Sequence, residues 1–131
     1  MWYRLIKIER GEQSEIRADI KVPATSPWFD GHFPGEPVLP GLAQIGMVFD
    51  VIQKASEDDL RVSSVSRVRF KRIVRPEDCL EVIAAPLKKE KDVFTFRMQI
   101  QGDLVCSGVM RLKREAQANG QIEPLSIQRS D

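Results

Sequence analysis

A chain of 131 residues, 42% of them hydrophobic, can bury one modest core and gains from association with a second copy. Lysine and arginine (20) nearly balance aspartate and glutamate (19), so overall charge gives no argument for nucleic acid. Two distant cysteines, Cys79 and Cys106, with a single histidine are too few for a zinc site, and the expected setting is the reducing cytoplasm.

The start, Met1 to Lys7, lacks the apolar stretch of a signal peptide, and no run of about 18 apolar residues offers a membrane span. Residues 1 to 9 and 15 to 22 alternate as two strands joined by the turn-prone Arg10-Gly11-Glu12-Gln13, which predicts a hairpin. Residues 23 to 40 carry Pro23, Pro27, Pro34, Pro37 and Pro40, a density that forbids regular structure and predicts a long functional loop. From Gly41 to about Ala55 the chain is apolar on nearly all sides, broken only by Gln44, Asp50, Gln53 and Lys54, so a helix enclosed by other structure is expected.

After Glu57-Asp58-Asp59, residues 60 to 75 read as a long strand ended by Pro76, and residues 80 to 90 as another. Phe94, Phe96, Met98 and Ile100 then share one face, Gly102-Asp103 reads as a two-residue turn, and 104 to 112 completes a hairpin. Residues 116 to 131 are polar, broken by Asn119-Gly120 and Pro124, and read as a flexible tail behind a single domain of residues 1 to 115. About six antiparallel strands and one all-round apolar helix predict an α+β fold in which the sheet wraps the helix and a second copy seals the open side.

Within the loop, Gly31-His32-Phe33-Pro34-Gly35-Glu36-Pro37-Val38-Leu39-Pro40-Gly41 packs three glycines and three prolines around the sole histidine. That backbone is neither helix nor strand, and it sets a side chain that titrates near neutral pH beside a helix start. Such an arrangement suits proton abstraction next to a carbonyl.

This element, followed by the apolar helix and by Arg69-Phe70-Lys71-Arg72-x-x-x-Pro76-x-Asp78, resembles the 3-hydroxyacyl-acyl-carrier-protein dehydratases of fatty-acid synthesis across roughly residues 3 to 113. The resemblance implies a hot-dog fold, a homodimer or larger assembly with acyl tunnels at the interface, no metal and no dissociable cofactor. Its implied partners are acyl carrier protein or acyl-CoA, with no nucleic acid. His32 matches the family's catalytic histidine and Gly41 the helix-start glycine whose amide binds the thioester carbonyl. Phe33 and Gly46 are expected against the substrate.

Dehydration needs a base for the C2 proton, donors for the enolate-like oxygen and an acid for the departing hydroxyl. The family's acid is a carboxylate fourteen residues after the histidine, and here that position is Gly46. Either close packing or a wider tunnel explains so small a residue. Asp50 lies one turn further on the same face, about 5.4 Å along the axis. It is the substitute acid, directly or through a held water, or else a cap or ion-pair partner at the dimer seam. Gln44, on another face, is expected to orient the loop by hydrogen bonds.

The basic group Arg67, Arg69, Lys71, Arg72 and Arg75 is either a solvated strand face or a strip that attracts an acidic carrier protein. A hot-dog thioesterase shares the fold but requires a carboxylate that attacks or activates water, and a non-catalytic acyl-binding subunit keeps the tunnel without turnover. A 3-hydroxyacyl thioester dehydratase is the primary expectation.

Overall fold

Period-two alternation over the strand regions and a three-to-four-residue apolar period after Gly41 build one sheet and one helix. The computed structural model describes residues 2–30 and 37–115; His32, Phe33 and the expected tail of residues 116–131 lie outside the described residues. The strands are β1 (Arg4–Arg10), β2 (Ile16–Lys21), β3 (Leu60–Phe70), β4 (Cys79–Pro86), β5 (Val93–Ile100) and β6 (Asp103–Arg114), with helix α1 (Gly41–Lys54) between β2 and β3. All pairings are antiparallel, in the order β1-β2-β4-β5-β6-β3.

Register aligns the apolar rows across the sheet. Ile20 faces Leu80, Ala18 faces Val82, Val82 faces Met98, and all are buried. This inner face packs against Ala43, Met47, Val48, Val51 and Ile52 of α1, forming the single core among the described residues. Each valine, isoleucine, leucine or methionine among them contributes about 1.5–3 kcal/mol on full burial. No helix among the described residues is long and apolar enough to cross a membrane.

Three boundaries differ from the sequence expectation. The β5–β6 turn is Gln101-Gly102 rather than Gly102-Asp103, because Asp103 already pairs with Ile100 while Gln101 (φ 50°) and Gly102 (φ 86°) supply the two left-handed residues that a tight hairpin requires. The β1–β2 connection contains a short 3₁₀ turn, Glu12–Ser14. Strand β3 ends at Phe70, not near residue 75, where the Lys71 and Arg72 amides both donate to the Val105 carbonyl and draw the chain out of the ladder.

Among the described residues, helix α1 is enclosed on one side only. Ala43, Gln44, Met47, Val48, Val51 and Ile52 are buried, whereas Leu42 is 76% exposed and Gly46 faces open space. The six-stranded sheet covers one flank of the helix and leaves the other bare, the open side expected from its apolar excess. Its far end is pinned: the Gln53 side chain donates to the Asp58 carbonyl (2.7 Å) and accepts from the Leu60 amide (3.0 Å), tying α1 to the start of β3.

Candidate active site

The first turn of α1 is held from two sides. The Leu39 amide donates to the Val74 carbonyl at 2.8 Å, fixing the end of the proline-rich loop to the segment after β3. Gln44 Nε2 donates to the Leu39 carbonyl at 3.2 Å, so Gln44 orients the loop as expected from sequence. Its Oε1 is buried with no donor among the described residues. No side chain among the described residues caps the helix start, and the Pro40 carbonyl takes the Ala43 and Gln44 amides. The Gly41 N–H therefore has no acceptor among the described residues and sits at the positive end of the helix dipole, a donor suited to a developing oxyanion.

Phe70, at the end of β3, closes over this glycine. A Cβ at position 41 would lie 2.6 Å from the Phe70 ring. The ring is 51% exposed and able to swing outward, so Gly41→Ala is expected to cost about 1–3 kcal/mol. Adding Phe70→Ala should return most of that loss, read from denaturant midpoints of the two single variants and the double variant. A double variant no better than Gly41→Ala would show that the glycine answers to something other than this ring.

Further along the same helix, a Cβ at Gly46 would meet no heavy atom within 4 Å. Close packing against the described residues is thus not the reason for glycine there. One turn on, Asp50 is half-buried and accepts a hydrogen bond from Tyr3 Oη at 2.9 Å on its Oδ2. Burial first, then the hydrogen bond to Asp50, hold the Tyr3 phenol far above its ordinary pKa, so it remains a donor at any working pH. Asp50 has no cationic partner among the described residues, which sets aside the ion-pair reading within one protomer.

Tyr3 is itself wedged by aromatic rings. Trp2 meets Tyr3 edge-on at 4.8 Å between centroids, and Trp2 meets Trp28 at 5.9 Å. Trp28 belongs to the 3₁₀ turn Pro27–Phe29, which ends three residues before His32, so this aromatic cluster joins the α1 carboxylate to the segment leading into the histidine loop. Sequence patterning singles out neither Tyr3 beside Asp50 nor the packing of Phe70, a member of the Arg69–Arg72 motif, over Gly41. The one signal for Tyr3 is that the sole tyrosine of the chain accompanies a solitary acid on an apolar helix.

The basic group divides. Arg72 pairs with Asp103 at 3.1 Å. Arg69 lies opposite Ser107, and Arg67, in a left-handed bulge (φ 56°), joins Arg97 around an outer-face cavity of about 360 Å³. Neither Arg67, Arg69 nor Arg97 has a carboxylate partner among the described residues. Burial pushes the Cys106 thiol up to about 11, so it stays protonated at neutral pH and is no nucleophile.

The sequence model of the ApeI-like family, described as ApeI dehydratase, matches residues 8–109. The chain belongs to the ApeI-like dehydratases. It is similar to the 3-hydroxyacyl-[acyl-carrier-protein] dehydratase FabZ of Shewanella woodyi, 36% identical over 112 residues, covering 76% of this chain and 74% of that protein. Among solved structures it resembles the dehydratase heterocomplex ApeI:P from Xenorhabdus doucetiae, with a TM-score of 0.76 and 30% identity over 86% of this chain and 98% of that one. An uncharacterised protein from Erwinia carotovora shares the fold at a TM-score of 0.74 and 22% identity, over 87% and 98% of the two chains. This ApeI-like dehydratase thus has the hot-dog fold expected from its sequence, six antiparallel strands with a single helix.

Proposed function

We propose that this chain, a single cytoplasmic domain of residues 1–115, removes water from a 3-hydroxyacyl thioester presented by acyl carrier protein during acyl-chain synthesis. His32 takes the C2 proton as the double bond forms, the Gly41 amide holds the thioester oxygen, and Asp50 gives a proton to the C3 oxygen as that bond breaks and water leaves. The imidazolium proton then returns to Asp50 through solvent, which completes the cycle without a net charge change. Phe33 and Gly46 line the substrate channel. The main support is a half-buried carboxylate, held by a buried donor, on the helix face left empty by Gly46.

Closure of the site requires a partner. Leu42, Phe70, Ile73 and Val62 expose apolar surface beside the unpaired edge of β3, and a second copy joined there covers it and walls the acyl tunnel. A distinct dehydratase chain is the competing partner, supported by the Xenorhabdus relative, a dehydratase heterocomplex, and by β3, which carries Arg67 and Arg69 without a carboxylate partner among the described residues. Light scattering on the purified chain separates a homodimer from a monomer awaiting another subunit. Arg67, Arg69 and Arg97 supply a positive face that speeds encounter with an acidic carrier.

Product identity tests the reaction. With a (3R)-hydroxyacyl carrier-protein thioester, the dehydratase yields a conjugated enoyl thioester, detected by mass and ultraviolet absorbance with no thiol released. Free acid plus thiol would identify a thioesterase instead, and retained acyl binding without either product would identify a binding subunit.

A further inference from the structure

We propose that Tyr3 is the positioning residue for the acid: its phenol, donating to Asp50 Oδ2, fixes the carboxyl rotamer and leaves Oδ1 to carry the transferable proton. This rests on the reading of Asp50 as the acid that protonates the leaving hydroxyl.

Tyr3 is 4% exposed, and Asp50 is the partner of its hydroxyl among the described residues, 47 positions away in sequence. A buried phenol hydrogen must go to an acceptor, and Oδ2 is the one at hand. If the Asp50 proton sat on Oδ2 it would face that hydrogen, so the protonated acid places its own hydrogen on Oδ1. Oδ1 has no hydrogen-bond partner among the described residues and is the oxygen left for the substrate in this scheme. Without that donor the proton can sit on either carboxyl oxygen and the torsion is free, and both freedoms lower the share of acid groups aimed to react.

Rigidity comes from the neighbouring rings. Trp2 fixes Tyr3 edge-on and reaches Trp28 in the turn before the histidine loop. Tyr3 thereby references the acid to the element that carries the base, although neither it nor Trp2 touches the reacting atoms in this scheme. Asp50 sits one turn beyond Gly46, so its side chain needs such a brace more than a carboxylate at position 46 would.

Tyr3→Phe removes the donor and keeps the ring. In full-length protein under saturating (3R)-hydroxyacyl carrier-protein thioester, kcat should fall about tenfold to a hundredfold, the loss expected of one hydrogen bond to a charged or acidic group, while KM stays within about twofold. A double-mutant cycle supplies the readout that a merely structural role would not move. Asp50→Asn keeps an acceptor for Tyr3 but cannot transfer a proton, so adding Tyr3→Phe to it should leave kcat unchanged. Near-ultraviolet circular dichroism verifies that each variant is folded. If Asp50→Asn abolishes turnover while Tyr3→Phe retains the parental kcat, the positioning role is overturned and the acid assignment stands. If Tyr3→Phe lowers kcat equally in both backgrounds, Tyr3 acts independently of Asp50 and the proposal also fails. An Asp50→Asn variant with parental kcat overturns the acid assignment itself, and the proposal with it.

Discussion

His32→Ala is expected to lower kcat/KM for dehydration by about 10²–10⁴-fold, the contribution of a positioned general base, without loss of fold or of acyl-thioester binding. It is the only histidine in the chain. Other groups are poor substitutes: Cys106 is buried with its thiol pushed up to about 11, and Tyr3 is held protonated by burial and Asp50. The base must be neutral to accept the C2 proton, so activity of the parent should rise with pH as the imidazole loses its proton. That ascending limb should vanish in His32→Ala, leaving a low rate set by the oxyanion donor alone. Steady-state kinetics as a function of pH, with binding followed separately by calorimetry, checks both halves. A variant that keeps the parental rate and pH limb would place the base elsewhere.

How much of this architecture is legible in the amino-acid sequence follows from the range of the interactions. The β5–β6 hairpin is a local object, written in the alternation of Phe94, Phe96, Met98 and Ile100, and only its turn differs by one residue, because glycine marks the second left-handed position as readily as the first. Strand β3 is shorter than its pattern suggests because two irregularities, between Val62 and Ser64 and between Ser66 and Arg69, blur its period, and because its end depends on the Val105 carbonyl of another strand. The free helix-start amide at Gly41 and the loop contact of Gln44 are short-range and follow from local sequence. Tyr3 beside Asp50 and Phe70 over Gly41 arise only when the sheet closes on the helix, and no periodicity encodes them. The apolar excess of α1 is plain in its composition, but a single chain does not reveal which flank its own sheet covers.

The vacancy at Gly46 allows the acid itself to be moved. Asp50→Asn is expected to reduce kcat by about 10²–10⁴-fold through loss of proton donation, while its side-chain oxygen still accepts from Tyr3 and preserves the fold. Gly46→Glu introduces a carboxyl at the position where the sequence resemblance leads one to expect the acid, into space where a Cβ meets no described atom within 4 Å. Replacing a mid-helix glycine also favours α1 by about 0.5–1 kcal/mol, so the thermal midpoint should rise by a few degrees. The double variant, Gly46→Glu with Asp50→Asn, should therefore be stable and should recover a large part of the lost kcat, because the acid now approaches the leaving hydroxyl from one turn, about 5.4 Å, nearer the helix start. Tyr3→Phe should no longer matter in that background, since the carboxyl it braces has been displaced. If the double variant is folded, binds acyl thioester and remains as slow as Asp50→Asn, position 46 does not face the leaving group, and the carboxylate held by Tyr3 serves a different geometry from that of the other dehydratases.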